Sequence, residues 1–218
     1  MDIAPAPPTR RLSAPALVFS LVANLIPIAG VLWLGWDTIQ LLFLFWTESL
    51  VVGVFTYQRV RMAEGGEPRS QRLKGLDSSE GFFALHYGIF WAVHGILLIG
   101  FTAGFPALGG PRTLWNSVLA SFDFWLAVMA MTISYAMAFW HGWIRPQAWR
   151  TATPGRELLR PYGRLLAMHL VMTLGLGAMI SSGGDSTVVI LILCIVKAIF
   201  DLIFEATLGG VAAGRAAS

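Results

Sequence analysis

Six stretches of this chain are each apolar for about the length a helix needs to cross a bilayer, roughly 20 residues for some 30 Å of hydrocarbon. They cover residues 15–34, 38–58, 82–103, 122–143, 164–181 and 187–208. Lipid offers no partner to a backbone N–H or C=O, so a spanning segment is either a helix or part of a closed barrel. The runs are continuous and lack the alternation of barrel strands. The expected fold is therefore all-α, a polytopic transmembrane bundle of six helices. Pro27 removes one backbone bond from the first of them and should kink it. Short gaps at 35–37 and 183–185 make antiparallel hairpins of spans one and two and of spans five and six.

The 218 residues are 56% hydrophobic and only 12% charged, where soluble domains carry about 25% charged residues. Mean hydropathy is +0.68. A net charge of +3 would suggest nucleic acid in a soluble chain, but here the basic residues occupy the gaps between apolar runs. That is the pattern of orientation signals, and no nucleic-acid partner is expected; the partner is the lipid bilayer. Arg10, Arg11, the basic stretches after spans two and four and Arg215 fall on one side, whereas the other side holds Arg112. Both termini should thus lie in the cytoplasm. A leader (1–14) precedes the six-helix domain (15–208), whose cytoplasmic loops are 59–81 and 144–163, and a tail (209–218) follows. Arg10-Arg11 before an apolar run also reads as a signal peptide, but the run is long and leads into a second span, which fits an uncleaved anchor. The one cysteine, Cys194, permits no intrachain disulfide.

Ionisable residues within the runs carry the functional information, because each costs at least about 2.5 kcal/mol at the bilayer centre and normally turns inward to a partner. They are Glu48, His86, His94, His169, Lys197, Asp201 and Glu205. Counting 1.5 Å of rise per residue from the helix ends sorts them into two layers. Glu48, His94 and Lys197 fall near the midplane, with Tyr87 on the His94 side of span three. His86, His169 and Asp201 fall nearer the cytoplasm. On this count His86 and His94 are about 12 Å apart along one helix and serve different layers.

The midplane set reads either as a mutually neutralising Glu48–Lys197 pair with His94 beside it, or as a proton or ion relay. The lower set is two histidines and a carboxylate, the ligand set of a divalent transition metal with open positions, so His86, His169 and Asp201 are the candidate metal ligands. A haem held by His86 and His169 is the lesser alternative. Both sets also have bland readings as helix-register pairs and helix-end hydrogen bonds. Arg164 is either an anchor that reaches for headgroups or a clamp for an anion.

The segments NLIPIAGVLWLGW, FWTESLVVGVF, FFALHYGIFWAVHG, RPYGRLLAMHL and VKAIFDLIFE together resemble a prokaryotic membrane family known only as a domain of unknown function. Its pattern is a tryptophan-x-glutamate, a histidine-tyrosine-glycine, an arginine shortly before a histidine, and a lysine four residues before an aspartate. These correspond to Trp46 and Glu48, His86 to Gly88, Arg164 and His169, and Lys197 and Asp201. Glu205 departs from the pattern's last position. The resemblance supports the fold and the choice of residues and implies no reaction. The expected function is a metal-binding or proton-handling site inside the membrane, with a small transporter or channel, or a non-catalytic accessory subunit, as alternatives. Whether the protein is an enzyme stays open.

Overall fold

The computed structural model describes residues 14–65, 75, 78–104, 110–182 and 191–200, and these contain helices and no strand. In chain order they are α1 (Ala14–Leu34), α2 (Thr38–Met62), α3 (Ser79–Gly104), a short α4 (Gly110–Thr113) continued by π-helical turns over Leu114–Leu119, α5 (Phe122–Phe139, running on in π geometry to Ile144), α6 (Pro154–Leu159), α7 (Tyr162–Ser182) and α8 (Leu191–Phe200). The all-α expectation holds for these residues. Three helices, Thr38–Met62, Ser79–Gly104 and Phe122–Ile144, are long and apolar enough to cross a membrane. α1 stays helical through Pro27. Asp201, Glu205, the leader and the tail lie outside the described residues.

α2 is the axis of the molecule. Of its apolar stretch 72% is buried, against 28% in each of α3 and α5, and it packs on α3, α5, α6 and α7 while α1 packs on α5. The outward faces of α3 and α5 remain studded with Ile96, Ile99, Leu126 and Ile133. Large apolar faces left uncovered are what lipid-facing helices present.

The start of α2 is fixed by its own sequence. Asp37 caps the helix by accepting from the Gln40 backbone N–H (2.7 Å), while the Gln40 side chain accepts from the Asp37 N–H (3.2 Å). This reciprocal capping satisfies two helix-end donors. Asp37 also accepts from Ser117 (2.8 Å), and Trp36 Nε1 donates to Asp123 (2.6 Å) at the head of α5. The short connection between α1 and α2 is therefore stitched to two later elements.

α2 and α3 are locked by an indole pair. The rings of Trp46 and Trp91 stack with centroids 4.5 Å apart and planes 8° from parallel. Each ring donates to the other residue's carbonyl, Trp46 to Trp91 at 2.9 Å and Trp91 to Trp46 at 3.2 Å. Gly95 makes room, since a Cβ there would collide with the Trp46 ring.

The segment expected as a cytoplasmic loop at 144–163 carries structure of its own. Here α6 packs against α2 and α3, and buried Glu157 sits 3.8 Å from Arg59 of α2 and 3.4 Å from Arg160. The Arg59 guanidinium also lies over the Phe139 and Trp143 rings. Basic residues flanking the apolar runs thus do more than mark orientation.

Candidate functional site

There are two polar centres, one buried around Glu48 and one that joins buried His94 to His169, which is exposed. The first is built on Glu48, midway along α2. Burial of both partners brings Lys197 of α8 to 2.9 Å from Oε1 and 2.8 Å from Oε2, with the two side chains only 5% and 8% exposed. Tyr135 of α5 donates its hydroxyl to Oε1 at 2.6 Å. Arg164 of α7 in turn donates to the Tyr135 oxygen at 3.2 Å. Lys197 also donates to the Asn24 side chain of α1 at 3.1 Å. One carboxylate thereby gathers groups from α1, α5, α7 and α8. Close charge-assisted bonds of this kind are stronger than neutral ones, and in low dielectric the pair's attraction offsets the cost of taking both charges out of water.

The second centre is a pair of imidazoles. His94 of α3, 7% exposed, faces the Phe90 carbonyl with Nδ1 (2.8 Å) and His169 Nδ1 of α7 with Nε2 (2.8 Å). Their partners dictate the protons. A carbonyl only accepts, so His94 Nδ1 carries its hydrogen; neutral His94 then offers a lone pair at Nε2, and His169 must donate from Nδ1. Nε2 of His169 is left as the basic nitrogen. The His94 ring is backed by Phe90 at 4.1 Å, and the His169 ring meets it edge-on at 5.1 Å.

The expected layers are half right. Glu48 and Lys197 do meet, as their shared depth and opposite charge predict. His94 does not join them; it joins His169, which had been placed in the other layer. His86 stacks on Phe82 at 5.5 Å and lies 5.7 Å from Tyr162. His169 is seven residues further along α7, about 10 Å of rise. His86 and His169 therefore do not converge on a metal ion, nor on a haem, and direct contact with His94 leaves no room for an iron between those two rings. Among the described residues no group of three or more His, Cys, Asp or Glu side chains is arranged to hold a metal ion; Asp201 lies outside them.

The physical reason for the misplaced layer is an offset between helices. α3 and α7 run parallel, because the 86–162 and 94–169 contacts advance together. His94 is 15 residues from the start of α3 and His169 seven from the start of α7. α7 thus begins about 12 Å further into the bundle than α3. Depth counted from each helix end assumes a common starting level, and α6 occupies the level that α7 skips.

Tyr87, assigned to the His94 side, donates instead to the Ser49 carbonyl at 2.7 Å, next to Glu48. Arg164, expected as an anchor or an anion clamp, donates to the Tyr135 hydroxyl at 3.2 Å. Tyr135 and Asn24 were missed. Both had a signal, being polar groups within apolar runs, but neither carries a charge that would have singled it out. Trp46 of the WxE pattern works as a packing element against Trp91.

Residues 6–216 match a family of unknown function, DUF6498. The chain belongs to that family. No curated protein and no solved structure matches it. Membership agrees with the resemblance read from the segments containing Trp46, Glu48, His86, His169 and Lys197, and it covers almost the whole chain.

Proposed function

We propose that this chain is a multi-pass protein of a prokaryotic inner membrane, with six spans and both termini in the cytoplasm, that handles protons at a pair made of one exposed and one buried histidine. The six apolar runs, the one-sided distribution of Lys and Arg and the three helices of spanning length support the topology. The observation that carries the proton reading is the His94–His169 hydrogen bond. A neutral pair so ordered accepts one proton, at His169 Nε2, and keeps both of its hydrogen bonds. His169 can then pass its Nδ1 proton to His94 Nε2, which moves the positive charge one ring inward while the Phe90 carbonyl holds the other side. Glu48, Lys197, Tyr135 and Arg164 form the fixed charge frame against which such a step would occur.

Proteoliposomes carrying a pH dye test this directly. H94A and H169A should each reduce proton flux to the level of protein-free vesicles, with the protein still folded. Flux equal to the parent in both variants would remove the pair from the mechanism. A second reading, an accessory subunit whose buried charges set helix pairing, is favoured by the closed Glu48–Lys197 contact. It predicts no flux in the parent and loss of assembly when that contact is broken.

A further inference from the structure

α5 with its π-helical end, Phe122–Ile144, is of membrane-spanning length and apolarity, and the chain beyond it is folded rather than loose. Gln147 turns it in the left-handed region (φ 51°), a conformation uncommon outside glycine. Successive turns follow: the Gln147 N–H donates to Ile144 (3.0 Å), that of Arg150 to Gln147 (3.1 Å) and that of Arg156 to Thr153 (3.2 Å). Two more bonds pin these turns to the end of α2, from the Glu64 N–H to the Trp149 carbonyl (2.8 Å) and from the Gly65 N–H to that of Ala152 (2.9 Å). Only a glycine fits at 65, because a Cβ would meet the Thr151 and Ala152 carbonyls.

This fixed shelf presents Arg145, Arg150 and Arg156, all exposed. Their charge is not neutralised locally. Glu157 is the one carboxylate of the sequence between residues 124 and 184, and it is buried against Arg59 and Arg160. Glu64 lies beside the shelf, but among the described residues no carboxylate forms an ion pair with the three arginines. The Arg150 guanidinium lies over its neighbour Trp149 at 5.2 Å. On either side of the shelf an apolar side chain stands out, Trp140 at 55% exposed and Leu159 at 62%. Exposed tryptophan and leucine flanking unpaired cations, at the end of a spanning helix, match the boundary between acyl chains and headgroups. Each arginine near an anionic leaflet raises the local preference for it about five-fold.

We infer that residues 145–156 form a docking surface for anionic phospholipid, with phosphatidylglycerol-type headgroups at Arg145, Arg150 and Arg156 and with Trp140 and Leu159 at the edge of the acyl layer. Charge selects the occupant: a zwitterionic headgroup leaves the three cations unmatched. The surface rests on the membrane reading of α5 and not on the histidine pair.

Hydrogen–deuterium exchange of the full chain in nanodiscs of phosphatidylcholine, with and without an equimolar share of phosphatidylglycerol, reads the outcome. Exchange across residues 145–160 should be several-fold slower in the anionic discs, with exchange in α2 unchanged. Molar salt, which shortens the screening length to about 3 Å, should remove the difference. R145Q/R150Q/R156Q should lose it too while α2 exchanges as in the parent, and R112Q, an exposed arginine outside the shelf, should keep it. The surface is overturned if both kinds of disc give equal exchange, if the triple variant stays protected, or if inorganic phosphate added to phosphatidylcholine discs gives the same protection. Release of the parent chain from membranes by alkaline carbonate would overturn the membrane reading and this surface with it; insertion with equal exchange overturns the surface alone.

Discussion

Glu48 and Lys197 show what a buried ion pair does and does not contribute. Bringing both charges in from water costs several kcal/mol per ion, and their contact roughly offsets this, so the pair specifies an arrangement more than it stabilises one. Breaking it from one side is different. E48Q should lower stability by about 3 to 5 kcal/mol, because it leaves the ammonium without its carboxylate, whereas E48L/K197M should recover most of that loss. Thermal unfolding in detergent of the two variants beside the parent checks this, and equal losses in both would contradict it. Y135F should cost about 2 to 4 kcal/mol, because it removes both the bond to the Glu48 carboxylate and the one accepted from Arg164. The pair was legible in the sequence because unlike charges at similar depth must find one another in hydrocarbon. Its neutral partners Asn24 and Tyr135 were not, since an amide or a phenol can hydrogen-bond to many neighbours and a sequence does not say which.

At the scale of helices, the all-α character and the positions of α1 to α3, α5 and α7 follow from apolar length alone. α2 runs four residues past residue 58 and α3 begins three before residue 82, because charged residues at helix ends remain helical where they reach water or a partner. What apolar length does not encode is the vertical offset of one helix against another. Here α6 sets it: held under α7 by Glu157 between Arg59 and Arg160, it raises the start of α7 and thereby delivers His169 to His94. E157A should release α6 and remove the carboxylate that Arg59 and Arg160 share. The expected result is a loss of a few kcal/mol with faster amide exchange across residues 154–165, measured by hydrogen–deuterium exchange. The indole lock between α2 and α3 makes a second test. G95L drives a side chain into the Trp46 ring and should cost about 1 to 3 kcal/mol, with a red shift of tryptophan emission as the stack opens.

At the scale of the whole molecule, the proposed topology is checked by placing single cysteines in a C194S background. R156C should react with a membrane-impermeant maleimide only from the cytoplasmic face and R112C only from the opposite face, as the bias of basic residues requires; labelling of both from one face would overturn the six-span arrangement. The central position of α2 has a consequence for how the protein is made. Glu48 is separated by 149 residues from the lysine that neutralises it, so at about 5 to 20 residues per second its carboxylate waits roughly 7 to 30 s on the ribosome for a counter-ion. In the proposed membrane topology the nascent helix must be shielded by the insertion machinery during that interval. A polypeptide terminated after Ser182 never receives the lysine, and pulse-chase labelling should find it cleared by quality-control proteases while the full-length product persists.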